Sequence, residues 1–144
     1  MVEGCRSGIA GCDRGGPDRA RPASAGTIHV ACGADDHMVL AALVLAASLA
    51  ESGTSRPIVF HLLHAPSRYD LAGLAARLQH PHMRVVLHEM PPDHANLPVG
   101  PPYSPAIFLR LGLAEALADL DRVIYLDADT VACRDISELH DTAL

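Results

Sequence analysis

The chain contains no lysine. All 11 of its basic residues are arginine, set against 17 acidic residues and a formal charge of -6. That balance leaves no basic stripe to displace counterions from a phosphate backbone, which excludes nucleic-acid binding by charge neutralisation. It also leaves no cationic face for an anionic membrane. An anionic ligand would need a local device, a metal ion or a helix N-terminus, to overcome repulsion. Tryptophan is absent and aromatics make up 3% of the chain, so a core must be assembled from the Leu, Val, Ile and Ala that dominate its 49% hydrophobic content. Cysteine is sparse. Cys5, Cys12, Cys32 and Cys133 form no CxxC pair, which argues against a disulfide framework or a zinc site and makes a reducing cytoplasm the default. No apolar run reaches the ~20 residues that span a bilayer. The longest, MVLAALVLAASL at residues 38–49, follows a glycine- and acid-rich turn rather than a basic n-region. It reads as a buried helix, neither a transmembrane segment nor a signal peptide.

What is present fits a single domain of 144 residues. Residues 1–26 are rich in Gly, Pro, Arg and Ser and lack apolar periodicity, so they read as a disordered head that buries too little surface to offset ordering entropy. From residue 27 to residue 144 strand and helix signals alternate. TIHVAC (27–32), PIVFHLL (57–63), residues 83–89 and residues 122–126 read as strands. Residues 37–52, 67–79 and 104–117 read as helices, the first capped by Asp35 or Asp36 and the second started by Ser67 with Asp70 three residues on. A proline-rich loop runs over residues 90–102. Near-continuous apolar strands are those buried on both faces, so the expectation is an α/β domain with an open, mostly parallel sheet and flanking helices, a Rossmann-like half. Ligands of such sheets bind beyond the carboxyl ends of the strands. Two acidic turns are expected at that edge: Gly33-Ala34-Asp35-Asp36 after the first strand, and Asp127-Ala128-Asp129 after the fourth.

VIYLDADTV, residues 123–131, carries the chemistry. Carboxylates at i and i+2 on a chain leaving a strand can turn to one point, where they repel unless a proton or a cation intervenes. Hard oxygen donors suit Mg²⁺ or Mn²⁺ shared with substrate phosphates. The plainer alternative is an acidic turn whose Asp side chains bond nearby N–H groups. Arg110 reads as half of a structural ion pair with a helix-surface acid. Met38 reads as a core residue at the start of the apolar helix. The nine histidines suggest no metal centre: His61 and His64, three apart on a strand, face opposite ways, while His80 and His82 flank Pro81 in a loop. An unrelated doubly wound domain, such as a metal-dependent phosphatase or receiver domain, would need a nucleophilic Asp and a Lys that this chain lacks.

Three ordered blocks, IHVACGADDHMVLAALVLAASL, YSPAIFLRLGLAEAL and YLDADTVACRDISEL, together resemble glycosyltransferase family 8, whose fold is GT-A. The resemblance covers residues 27–144 and corresponds to the family's N-terminal nucleotide-binding part. It implies a DxD motif in which Asp127 and Asp129 hold Mn²⁺ (or Mg²⁺) against the donor diphosphate, with Asp127 also touching the ribose. Ala128 would present its backbone to the nucleotide, and Arg110 would orient the donor. Gly33, Asp35 and Asp36 would line the uracil and ribose pocket. His37 stands where the family has Asn, and Met38 where it has an aromatic that stacks on the base. The family's third metal ligand lies in a later His-Phe-x-Gly segment that is not found here, and His140 lies too close to the DxD motif to be that residue. The implied reaction is retaining transfer of a hexose from a UDP-sugar to a glycan or lipid-linked acceptor, as in lipopolysaccharide synthesis, in the cytoplasm or at the inner membrane periphery. The alternative is a non-catalytic nucleotide-binding or interaction fragment.

Overall fold

The computed structural model describes residues 26–78, 80–91 and 105–143. The expected disordered head with Cys5 and Cys12, most of the proline-rich loop and the expected helix start at Ser104 lie outside the described residues. Four strands, β1 (Ile28–Ala34), β2 (Ile58–His64), β3 (Met83–Glu89) and β4 (Ile124–Tyr125), pair in parallel in the order β3-β2-β1-β4. The sheet is thus the parallel α/β sheet expected. Every position of β2 is buried, as an inner strand covered on both faces requires.

The two faces differ. On the first lie Ile28, Val30, Cys32, Ile58, Phe60 and Leu62, packed against helix α1 (Val39–Ala50) and Leu71 of helix α2 (Leu71–Ala76). Val39, Ala42, Leu45, Ala46 and Leu49 recur at helical spacing and form the buried stripe of α1. Leu40 and Val44 face outward, 64% and 57% exposed, so the helix is buried along one stripe rather than all round as its composition suggests. On the second face Ala31, Leu63 and Met90 meet Leu109 of a 3₁₀ segment (Pro105–Gly112) and Leu117, next to helix α3 (Leu113–Ala116).

Local differences from the sequence reading have physical causes. Helix α2 starts at residue 71, not 67, because Asp70 is the residue that caps it: its carboxylate accepts the Gly73 N–H at 2.9 Å. Ser67, expected as that cap, instead donates to Asp36 at 2.5 Å. The helix expected over 104–117 is wound mainly as 3₁₀ before one α-turn. Gly33 lies directly beneath it; a Cβ on Gly33 would sit 3.2 Å from the Leu109 Cβ and 3.4 Å from the Tyr125 hydroxyl. After β4 the chain crosses to α1 and ends in helix α4 (Ser137–Asp141).

Candidate functional site: the carboxyl edge of β1 and β4

Register fixes the site. Ala31 pairs with Tyr125, and the Leu126 N–H donates to the Ala31 carbonyl at 3.0 Å. Two residues on in each strand, Asp127 leaves the sheet level with Gly33. The two acidic turns therefore stand side by side at one edge, where an open parallel sheet binds its ligands.

The sequence places one alanine between two aspartates because successive residues leaving a strand alternate in direction. Ala128 is 6% exposed and joins the first-face core, while Asp127 and Asp129 are exposed. Thr130 closes the turn: its N–H and hydroxyl both donate to the Asp127 carbonyl, at 3.1 and 2.7 Å. Farther along, the Ala132 N–H donates to the Ser48 hydroxyl of α1 at 2.9 Å. Arg56 pairs with Asp141 at 2.8 Å, and Arg122 donates to the His140 and Thr142 carbonyls. The acidic turn is thus anchored at both ends while its two carboxylates remain in solvent.

Both carboxylates are felt at one buried atom. The Cys32 thiol is pushed up to about 12 by burial first, and then by the negative charges of Asp127 and Asp129. This thiol stays protonated and is no nucleophile. Arg110 provides the opposing charge. Its Nη2 lies 3.3 Å from Asp127 Oδ1, its Nε donates to the Ile107 carbonyl at 3.0 Å, and its guanidinium sits 5.3 Å from the centroid of the Tyr125 ring. Burial raises the Tyr125 phenol above its ordinary value, against the lowering effect of Arg110. Tyr125 was not singled out from sequence. The signal was available: it lies two residues before Asp127 on a strand and so shares its face.

The turn after β1 is committed differently. Asp35 Oδ1 accepts the N–H groups of His37 and Met38 at 2.9 and 3.1 Å in the turn before α1. Asp36 turns toward β2: besides Ser67, it accepts the Arg68 N–H at 3.4 Å and faces the Arg68 Nε at 3.3 Å. Its carboxyl is held below the usual range, chiefly by the Ser67 hydrogen bond. His37 is exposed, and Met38 packs partly buried against the first-face core. Arg110 thus meets both Asp127 and Tyr125, whose hydroxyl lies beside Gly33; Ala128 and Asp129 follow on the same turn, and Asp35 and Asp36 border them with carboxylates already engaged.

Whether these groups suit a divalent cation can be judged from their chemistry. Two exposed carboxylates on one tight turn, with a guanidinium drawn to one of them, form a donor set that attracts positive charge and offers hard oxygen. They fit as part of a cation site. Among the described residues no group of three His, Cys, Asp or Glu side chains is arranged to hold a metal ion. A concavity of about 400 Å³ lies at the opposite, amino edge of the sheet, between Thr27, His29, His80, His82 and Arg84. It offers no carboxylate and is remote from the turn.

The model of Glycosyl transferase family 8 matches residues 29–144. An active-site mutant of LgtC is similar in structure, with a TM-score of 0.67 and 31% identity over 81% of this chain and 42% of that one. So is the galactosyltransferase LgtC in complex with donor and acceptor sugar analogs, at 0.67 and 31% over 81% and 43%. The bifunctional glycosyltransferase WbbM, at 0.68 and 20% over 86% and 22%, shares the fold. The chain spans less than half the length of each of these proteins. No curated protein matches by sequence.

Proposed function

Because the chain belongs to glycosyl transferase family 8 and has its GT-A fold, we propose that it is the nucleotide-sugar-binding part of a retaining hexosyltransferase. The donor is a UDP-sugar and the acceptor a glycan or lipid-linked sugar, such as one in lipopolysaccharide synthesis. The observation that carries this reading is the Asp127-Ala128-Asp129 turn at the carboxyl end of β4, level with Gly33 of β1 and paired to Arg110 at 3.3 Å. LgtC, bound to donor and acceptor sugar analogs, supports a sugar donor and acceptor here.

The residues divide the work by chemistry. Asp127 and Asp129 would hold Mn²⁺ or Mg²⁺ through carboxylate oxygens, with Asp127 also reaching the ribose. When bound, the cation supplies positive charge to the diphosphate that becomes the leaving group. Arg110 brings a guanidinium to the same phosphates and orients the donor. The Ala128 backbone and the bend from Gly33 through Asp35, Asp36, His37 and Met38 border the nucleoside. Asp35 acts there through the N–H groups it fixes, since its carboxylate is held by those of His37 and Met38 in the turn before α1. The turn after β1 leads into the amino end of α1, whose dipole adds positive potential toward an anionic ligand.

Isothermal titration of the full chain with UDP, with and without Mn²⁺, tests the reading. Saturable heat that depends on Mn²⁺ and disappears in Asp127→Asn supports it; negligible heat in both conditions rejects it. A second reading is a binding module without transferase activity. It requires the same UDP binding but no release of hexose from UDP-galactose or UDP-glucose.

A further inference from the structure

Arg110 already pairs with Asp127, a carboxylate that a divalent cation at the acidic turn would share. Its Nη2 is 3.3 Å from Asp127 Oδ1, and two further contacts hold the side chain there: Nε to the Ile107 carbonyl at 3.0 Å and the guanidinium against the Tyr125 ring. We propose that Arg110 is a resident counter-cation that a metal ion must displace from Asp127, and that a nucleoside diphosphate is the partner that receives it, so that metal and nucleotide bind cooperatively.

This inference rests on the reading of the acidic turn as the cation site and adds how loading is controlled. A Mn²⁺ ion on Asp127 would share the carboxylate with a fixed positive group close by. Two cations compete for one carboxylate, and the metal binds weakly while the guanidinium stays. A diphosphate changes the balance: it offers the metal phosphate oxygens and the guanidinium a bidentate acceptor. Each ligand then raises the affinity of the other by the same factor, as linkage demands. The contacts are weak enough to be exchanged. Both side chains are about half exposed, 48% for Arg110 and 58% for Asp127, a setting in which an ion pair contributes little. The segment carrying Arg110 is 3₁₀-wound, a geometry with poorer hydrogen bonds than an α-helix and often found at hinges.

The test counts free Mn²⁺ by electron paramagnetic resonance while the full chain is titrated, with and without UDP. Wild type, Arg110→Gln, Arg110→Lys and Asp127→Asn are compared, with circular dichroism confirming that each is folded. Without UDP, Arg110→Gln is expected to bind Mn²⁺ about two- to fivefold more tightly than wild type, the factor set by removing an exposed ion pair. UDP tightens Mn²⁺ binding at least about fivefold in wild type, and that gain shrinks in Arg110→Gln. Arg110→Lys, which keeps the charge but loses the fork, falls between. The inference is overturned if Arg110→Gln binds Mn²⁺ no better than wild type without UDP, or if UDP tightens both equally. Uptake that is unaffected by Asp127→Asn, or absent from wild type even with UDP, removes the cation site itself and this inference with it.

Discussion

The two faces of one sheet have been built to different rules. The first is a finished apolar core, in which Phe60, Ile58, Leu62, Leu45 and Leu49 are at most 2% exposed beneath α1. The second places three histidines in a diagonal ladder across three strands. His29 Nδ1 lies 2.9 Å from His61 Nε2, and His61 Nδ1 lies 2.9 Å from His88 Nε2, with the first pair of rings stacked. His61, 6% exposed, is lowered to about 4, by burial first and then by its neighbours His88 and His29 and by Arg84; His29 and His88 are lowered as well, chiefly by burial. The acidic site draws Gly33, Arg110 and Tyr125 from the second face and rests Ala128 on the first. One face supplies stability, and the other supplies the polar groups that stability alone would not select.

The contrast can be broken most severely on the first face. Phe60→Ala should cost about 3–5 kcal/mol, because the deleted ring leaves a cavity that a close-packed sheet cannot fill. Urea denaturation measures it, and a loss under about 1 kcal/mol would mean that this face is not the main core.

The second face should respond to pH instead. His61 has a folded pKa below its unfolded value of 6.5, so the unfolded chain takes up protons that the folded chain excludes. Stability is full above about 6.5 and falls as pH drops toward about 4, by on the order of 2–3 kcal/mol for His61, and His29 and His88 act in the same direction. Denaturation midpoints at pH 7.5 and 5 should diverge in wild type and less so in His61→Leu. Equal divergence in both would assign the acid sensitivity elsewhere.

Gly33→Ala sharpens the comparison where the site meets the second face. Its new Cβ would press on Leu109 at 3.2 Å and on the Tyr125 hydroxyl, costing about 1–3 kcal/mol by overpacking. It should also weaken UDP binding, because the 3₁₀ segment that moves carries Arg110. A stable variant with unchanged UDP affinity would separate the segment from the site. The smallest effect belongs to Asp35→Ala, which removes the acceptor of the His37 and Met38 N–H groups in the turn before α1 and should cost about 1 kcal/mol. It is read as a small drop in melting temperature.

Sequence showed the strands well because their apolar runs are long and each is bounded by turn residues. Met83–Glu89 is found where the pattern puts it, and the other three strands agree within two residues at most ends. The acidic turns at one edge were legible for the same reason: strand followed by helix, repeated, forces parallel pairing and gathers the strand exits. Contacts between distant segments were not legible. Ser67 signalled a helix cap and bonds Asp36 instead, 31 residues away in sequence. The histidines of the ladder each look isolated, since nothing local says that β1, β2 and β3 will bring them together. Period two along β4 could have identified Tyr125, but its contact with Arg110 depends on how closely the 3₁₀ segment approaches Gly33. Such information resides in register and layer spacing, to which local composition is blind.

Mn²⁺ is paramagnetic and broadens nearby amide resonances, so its position on the sheet can be read directly. In the full chain with UDP present, the expected result is selective broadening at Gly33, Asp35, Arg110, Ala128 and Thr130, with His80 and His82 at the opposite edge left sharp. Broadening centred on those histidines, or spread evenly over the molecule, would contradict the placement of the cation on the acidic turn.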